Sequence, residues 1–396
     1  MAWPTLVLRI AFASAPMATS PSWDAVTSSL RSIHIKRGRQ HELDQISAGT
    51  AQLELDNRAG NYWPNNAGGD YSPNVLPGKR IQLYAVYGGV TYYLYTGFIE
   101  DWNPEWLVAN AGLFPIVRPV CSDLCNNLAN FDLNDGAGYA EELSGTRVGN
   151  VLDDLGWPAA DRDLDPGKSY MQATGALADE NAWSHLLKIQ QSELGILYIA
   201  GDGHVQFEDR HHRLISPHMT SQATFGEDAG EKAYHGMEPR YGADSIRNDI
   251  RVTRSGGTQQ SAYDSTSQTN YGKRSLSKTG LLLINDYESS DQANYLLGCY
   301  KDPALRARTL RILPEANPSV LWPQVLGREI SDRITVRRNE ASLDEDYFIE
   351  SIEHNIDLVN YTWETKWQLS NAYAVQYWVL GVAGYSEMGE TTRLAY

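Results

Sequence analysis

The sequence predicts a mainly β protein that carries α/β inserts. Three observations predict this class. Residues 49–102 alternate apolar and polar side chains between turn-forming clusters, which is the period of half-buried strands. Residues 361–369 show the most regular alternation in the chain. The aromatic residues are 23 Tyr and 11 Trp against 7 Phe, a composition that favours sheets and interfaces over a phenyl core.

The first region is predicted to consist of antiparallel strands. Alternation over residues 51–55 predicts a strand that ends at the turn-forming cluster 56–60. Residues 81–87 and 90–102 predict two further strands, and the Gly-Gly pair at 88–89 between them predicts a tight hairpin.

The amino-terminal residues 6–15 imitate a signal peptide, but Arg9 interrupts a short apolar run and no basic segment precedes it, so we expect a strand. No apolar run approaches the length of a membrane span. Lys36, Arg37 and Arg39 form a basic cluster, for which we expect a solvated strand end, with contact to an acidic partner as the alternative.

Helical periodicity replaces alternation in the middle of the chain. Thr146 is predicted to cap a helix that ends at Gly156, and a second helix is predicted from Asp179 to Gly195, followed by a hairpin. Farther on, residues 245–252 are predicted to begin a second large β region.

A third helix is predicted to end before Pro303, with Ser289 and Gln292 as its capping box. The remaining predicted strands cover residues 306–312, 334–337, 347–356 and 361–369.

Charge and cysteine content argue against a protein that binds nucleic acid tightly and against a disulfide-rich scaffold. The chain has 33 Lys and Arg against 49 Asp and Glu, a net charge of −16, which argues against tight binding of nucleic acid. An acidic wall around a DNA passage would instead repel phosphates. Cys121, Cys125 and Cys299 are too few for a disulfide scaffold, so we expect buried free thiols and assembly in a reducing cytoplasm.

Motifs for metal and nucleotide sites are incomplete. Residues 161–167 resemble the start of a calcium-binding loop, but Gln172 occupies the position of the bidentate glutamate. The same region ends like a P-loop, but Arg162 occupies the position of its first glycine. His211, His212 and His218 are weak candidates for metal ligands, weighed against a solvated loop. We therefore expect no metal and no cofactor.

Two acidic pairs, Glu141-Glu142 and Asp153-Asp154, are candidate carboxylates for glycoside hydrolysis, but solvated helix faces explain them as well. We expect the chain not to be an enzyme.

Several segments carry a resemblance to a known family. The succession of motifs at 51–57, 60–62, 76–81 and 95–99 resembles the opening barrel of phage tail-tip hub proteins. That family comprises the baseplate hubs of contractile tails and the amino-terminal hub of tail-associated proteins in long flexible tails.

The resemblance continues along the chain. Residues 186–207 are similar to the α/β insert of that family. Residues 246–248, Tyr271-Gly272 and the helix after them match its third segment in order, and residues 349–354 are similar to its closing hairpin. The likeness covers residues 30–369 in segments.

The resemblance implies an organisation for the whole chain. It implies two tail-tube-like β-barrels, at 1–118 and, with peripheral elements, at 214–370, separated by an α/β insert domain at 119–213. A carboxyl-terminal extension follows at 371–396. Three chains would form a homotrimeric pseudo-sixfold ring in which six similar barrels surround a DNA channel.

The implied function is structural: the ring closes the tail tube, joins it to the tip and opens for DNA ejection. Implied partners are tail-tube or distal tail proteins, the tape measure protein, and tail-tip, fibre or receptor-binding proteins. Genomic DNA would pass through the lumen without tight binding. The implied location is the virion tail tip or baseplate, after synthesis in the host cytoplasm and without stable membrane insertion.

Six aromatic residues are predicted to take interface roles, with core packing as the alternative for each; they are Tyr62, Trp63, Trp102, Trp106, Trp363 and Trp367. Two alternative functions remain open. One is a tail-associated protein that binds glycan or degrades peptidoglycan or polysaccharide. The other is the hub of a phage-like contractile particle or secretion system.

Overall fold

A computed structural model describes residues 3–109, 112–133, 137–178 and 180–372. Nearly all of the predicted extension 371–396 and the predicted cap Asp179 lie outside the described residues. The strands are β1 (Thr5–Ile10), β2 (Asp24–Ala25), β3 (Leu30–Gly38), β4 (Ser47–Asp56), β5 (Arg80–Tyr87), β6 (Val90–Asp101), β7 (Pro104–Ala109), β8 (Gly112–Val117), β9 (Val120–Ser122), β10 (Glu142–Leu143), β11 (Arg162–Leu164), β12 (Tyr170–Met171), β13 (Ile196–Ile199), β14 (Val205–Glu208), β15 (Thr224–Phe225), β16 (Gly236–Arg240), β17 (Asp249–Arg254), β18 (Gln260–Tyr263), β19 (Ser275–Leu281), β20 (Arg306–Ile312), β21 (Arg333–Arg338), β22 (Leu343–Asp357) and β23 (Thr362–Asn371). The α-helices are α1 (Leu124–Ala129), α2 (Ser144–Leu155), α3 (Ala182–Glu193), α4 (Ser265–Tyr271), α5 (Asp286–Tyr300) and α6 (Pro318–Gly327).

The mainly β prediction is confirmed, because one sheet of fifteen strands dominates the described residues. Its main path runs β16-β20-β23-β22-β3-β4-β9-β6-β5-β1-β2, and β7, β8, β15 and β21 branch from it. Neighbours along the main path pair antiparallel, as expected for strands joined by hairpins and local loops.

The prediction of two tube-like barrels is wrong for this chain by itself, since the described residues form no closed barrel. The cause is a long-range pairing. β3 pairs with β4 on one edge and with β22 on the other, where residues 32–38 oppose 351–357. The hydrogen bonding of the first β region therefore continues directly into the last.

Two smaller units lie beside this sheet. The sheet β11-β14-β13 packs with α2 and α3 around a second apolar cluster that includes Leu152, Leu186 and Phe207. The sheet β18-β17-β19 packs on α5 around a third cluster. β17 was predicted to begin the second large β region, but it lies in this separate sheet, because its partners are the local strands β18 and β19.

Predicted helix ends are confirmed in part. α2 begins at Ser144, so the predicted cap Thr146 is wrong and lies inside the helix, whereas the predicted stop Gly156 is confirmed as the C-cap, with a φ of +75°. The N-cap of α3 is Asn181, whose side chain accepts a 2.8 Å hydrogen bond from Ser184 N. None of the described helices is long and apolar enough to cross a membrane.

The predicted capping box of α5 is wrong. Asn285 is the N-cap and its Oδ1 accepts from Glu288 N at 2.9 Å, whereas Ser289 and Gln292 are buried inside the helix. The sequence contains two successive polar pairs at cap spacing, 285/288 and 289/292, and burial of the second pair decides between them.

The alternation of β23 is confirmed. Trp363, Thr365, Trp367 and Leu369 face the core of the large sheet. Trp363 packs edge-on against Trp322 of α6, with ring centroids 5.0 Å apart. Tyr361, predicted for the same face, instead lies before the strand in a turn with a φ of +53° and is exposed.

Gly38 ends β3 at a register shift and has a φ of +96°. A Cβ there would lie 2.2 Å from the carbonyl oxygen of Glu350. We therefore expect Gly38→Ala to lower the free energy of unfolding by at least about 2 kcal/mol in urea denaturation. The control is Gly149→Ala in α2, where the nearest atom is Leu164 Cδ1 at 3.8 Å and alanine should be neutral or stabilising. Equal destabilisation by the two variants would contradict the close approach at Gly38.

Candidate assembly interface

The outer face of the large sheet is polar across its centre. Glu353 of β22 lies between Lys36 of β3 and Lys366 of β23, and Asn355 opposes His34 and Glu364. His34 Nε2 lies 2.9 Å from Glu353 Oε1. Because charges of opposite sign alternate across neighbouring strands, this face is a mixed-charge surface with cross-strand pairing.

The hairpin β7–β8 presents apolar side chains to solvent. Trp106 is 52% exposed and Val108 is 85% exposed. The rings of Trp63 and Trp106 pack edge-to-face with centroids 5.0 Å apart. Within the described ranges β7 pairs with β8 alone, so its outer edge is free. An exposed tryptophan packed on a partly buried one, beside a free strand edge, has the composition of a protein contact surface.

Four of the six predicted interface aromatics are buried within the chain, so the core-packing alternative describes them here. Tyr62 and Trp102 stack in one aromatic layer, where Trp102 Nε1 donates to Leu76 O at 3.0 Å. Trp363 and Trp367 have no exposed surface. The physical reason is the same for all four: each lies on the inward side of its strand or loop. The interface prediction stays open for Trp63 and Trp106.

A buried ion-pair junction holds the first and last β regions together. Glu350 of β22 is fully buried and accepts from Arg39 Nε at 2.7 Å and from Arg213 Nη1 at 2.6 Å. Ser370 Oγ donates a further hydrogen bond to Glu350 at 2.5 Å. Burial by itself would raise the pKa of Glu350, but the charges of Arg213 and Arg39 outweigh it and hold that pKa well below its ordinary value.

The contacts of Arg37 tie β3 to the loop after α6 and to the α/β unit. Arg37 is buried and makes two hydrogen bonds to Glu329, at 2.9 and 3.1 Å, and a third to Ile199 O at 3.2 Å. The expected solvated strand end is therefore wrong for Arg37 and Arg39, because their acidic partners lie in the same chain. One signal was available: Arg37 shares the alternation of Ile33 and Ile35, which face the core.

The structure brings two of the three candidate histidines together. The rings of His212 and His218 are 4.8 Å apart, and His212 Nδ1 lies 2.8 Å from Asp165 Oδ2. His218 Nδ1 donates to Ser331 O at 3.0 Å. His211 contacts Asp209 through its backbone nitrogen. In the described part of the chain no group of three or more His, Cys, Asp or Glu side chains is placed to hold a metal ion.

The contributions of His212 and His218 to stability are expected to change with pH in opposite directions. Burial lowers the pKa of His212, but the hydrogen bond with Asp165 and the charge of Glu208 outweigh it, so the pKa is raised. The pKa of His218 is lowered by burial and by His212. The stability from His212 is therefore complete below about pH 6.5 and is lost as pH rises through its raised pKa; that from His218 is present above about pH 6.5 and is lost as pH falls.

We expect imidazole proton resonances to show His212 titrating above, and His218 below, the range of a free histidine. The variants His212→Gln and His218→Gln assign the two signals and serve as each other's control. A single shared midpoint near pH 6.5 would contradict the arrangement.

The predicted acidic residues make contacts inside the chain. Glu142, Asp153 and Asp154 line one surface groove of about 320 Å³. Glu142 accepts from Arg147 Nε at 2.5 Å, Asp153 pairs with Arg162 at 2.8 Å, and Tyr139 Oη donates to Asp154 at 2.6 Å. Each carboxylate thus holds a neighbouring side chain in place.

Two of the predicted free thiols, Cys121 and Cys125, are buried as expected, and Cys299 is half-buried. Burial raises the pKa of Cys121 and of Cys125, which keeps both thiols protonated.

The fold is shared with solved phage tail proteins. The tail protein from Neisseria meningitidis MC58 superposes with a TM-score of 0.60 at 13% identity, over 94% of this chain and 97% of that one. The 43 kDa tail protein of prophage MuSo2 from Shewanella oneidensis gives 0.61 at 13% identity, over 93% and 99%. Prophage tail protein gp18 from Listeria monocytogenes EGD-e gives 0.51 at 9% identity, over 93% and 95%.

At these identities the likeness establishes the fold, and the resemblance in the sequence to phage tail proteins is confirmed at that level. No protein-family model and no curated protein sequence matches the chain.

Proposed function

We propose that this chain is a structural virion protein, the hub of a phage tail tip or baseplate. The observation that carries the proposal is the fold shared with phage tail proteins over more than nine-tenths of both chains. A fold shared from end to end leaves little of this chain for a separate catalytic domain. The hub would close the tail tube and line the channel for DNA ejection.

The proposal includes a homotrimeric ring, in which each chain contributes its large sheet to the wall. The free edge of β7 and the exposed Trp106, packed on the partly buried Trp63, support contacts between copies, since such an edge is stabilised by covering it. The mixed-charge face around Glu353 supports a channel wall to which phosphates do not bind tightly, because tight binding needs an excess of cations. Tail-tube, tape measure and tail-tip proteins are the proposed partners.

Light scattering on the purified chain, followed by negative-stain imaging, tests this function. The expected result is a particle with three times the 44.2 kDa mass of one chain and an open centre. A monomer at every concentration, even when mixed with purified tail tubes, would rule out the ring.

Degradation of cell-wall glycan is the second candidate, favoured by the groove that Glu142, Asp153 and Asp154 line. A turnover assay on peptidoglycan with the wild-type chain and Asp154→Asn decides it. Turnover that this substitution abolishes would replace the structural function with an enzymatic one. The third candidate, a hub of a contractile particle or secretion system, needs the same fold, and the genes around the coding sequence would distinguish it.

A further inference from the structure

A pocket of about 220 Å³ lies at the start of β20, beside β16, the loop before β17 and the turn between β3 and β4. Its lining includes four arginines from three segments of the chain, Arg240, Arg247, Arg306 and Arg308. A single water needs roughly 15 Å³ of such space, so the pocket has room for a polyatomic ion. It opens to solvent, because Arg240 on its lining is exposed.

Positive charge exceeds negative charge along this lining. Among its described residues the carboxylates are Glu42 and Asp44, against four guanidinium groups. Glu42 already pairs with Arg306 at 2.8 Å and lies 3.2 Å from His41 Nε2. The whole chain carries a net charge of −16, so its average composition does not explain several arginines in one concave place. A concave surface lined by cations attracts anions.

Arg308 occupies a β-bulge at the edge of this pocket. The register of β20 against β16 skips Arg308, because Thr309 and Ala307 have partners in β16 and Arg308 has none. On the other edge of β20, pairing with β23 begins at Thr309. A bulge turns a side chain away from the regular alternation of its strand. The irregular pairing therefore brings the Arg308 side chain to the lining.

Arg308 is half-buried and makes no hydrogen bond or ion pair within the described part of the chain. Arg247 on the same lining, by contrast, donates from Nη1 to Ile246 O at 2.7 Å. A planar guanidinium can donate two parallel hydrogen bonds to the oxygens of one carboxylate or phosphate group. Arg308 thus keeps an unused set of donors of the kind that recognises oxyanions.

We propose that this pocket binds a polyvalent oxyanion and that Arg308 is its principal ligand. The ligand class is a compact ion with two or more phosphate or carboxylate groups, since a monovalent anion would leave most of the positive charge uncompensated. The bound ion would contact β16, β20 and the loop before β17, so its occupancy stabilises the folded chain by mass action. This inference does not depend on the proposed tail function.

Calorimetric titration of the full chain with inorganic pyrophosphate and with citrate, at an ionic strength held constant with chloride, tests the site. We expect one saturable site per chain, a melting temperature that rises with the bound ion, and no saturable binding of acetate. Tighter binding of pyrophosphate would assign a phosphate-bearing ligand, and tighter binding of citrate a carboxylate-bearing one.

Arg308→Gln should weaken binding of the tighter ion by at least about tenfold. Arg308→Lys should recover part of the affinity, because an ammonium group keeps the charge but not the paired donors. Without the ion, Arg308→Gln should melt no lower than the wild type, since it removes no contact within the described residues.

Arg311→Gln is the matched control, since Arg311 lies on the same strand, is half-buried and opposes Gly236 of β16, outside the described lining. It should leave binding unchanged. Absence of saturable binding by both ions, unchanged affinity in Arg308→Gln, or an equal loss of affinity in Arg311→Gln would each overturn the proposal.

Discussion

Replacing Glu350 with glutamine is expected to lower the free energy of unfolding by about 3–5 kcal/mol, the cost of leaving buried charges without a partner. Arg39 and Arg213 would both lose their shared counter-ion while remaining buried. Glutamine keeps the size of the side chain, so the loss reports charge rather than packing.

Urea denaturation of Glu350→Gln measures this loss, and Glu353→Gln is its control. Glu353 lies on the same strand, but it points outward and pairs with the half-exposed His34, so its removal should cost less than about 1 kcal/mol. Similar losses in the two variants would show that the buried junction contributes no more than a surface pair.

The same variant should change the acid stability of the protein. The pKa of Glu350 lies below its ordinary value, so its stabilising contribution is complete above about pH 4.5 and is lost as pH falls through the lowered folded-state pKa. Glu350→Gln should therefore show a shallower loss of stability below pH 4.5 than the wild type.

The second large effect is expected at Trp363. Trp363→Ala should destabilise the chain by about 3–5 kcal/mol, because it opens a cavity between Trp322, Trp3 and His354. Trp106→Ala should change monomer stability by no more than about 0.5 kcal/mol, since that ring is half exposed.

Trp106→Ala should nevertheless reduce assembly, measured as the concentration at which the light-scattering mass rises above that of one chain. The two tryptophan variants thus distinguish the effect of losing core packing from the effect of losing an interface contact. A large loss of monomer stability in Trp106→Ala, or unchanged assembly, would remove this hairpin from the proposed interface.

Local patterns predicted the strands well because alternation is a short-range property. Residues 361–369 and the pair 88–89 were sufficient to place β23 and the turn between β5 and β6. The pairing of β3 with β22 was not predictable in this way, because nothing within either strand specifies a partner about three hundred residues away. The two closed barrels were implied by the family resemblance rather than by any local pattern, and the described residues instead form one large continuous sheet.

The candidate interface was predictable only in part. Alternation identifies two faces of a strand, but it does not say which face another element covers, and α6 covers the face that bears Trp363. The burial of Arg37 and Arg39 was missed for a related reason. Both residues are charged, yet their acidic partners are distant in sequence and make burial possible.

The pairing of β3 with β22 also constrains how the chain is made. Ile33 pairs with Ile356, so more than three hundred further residues must be synthesised before the second edge of β3 can be covered. At about 5–20 residues per second this takes roughly 15–65 seconds of translation. During that time an apolar strand edge is exposed on the ribosome, and the high contact order makes closure of the sheet a late and slow step in folding.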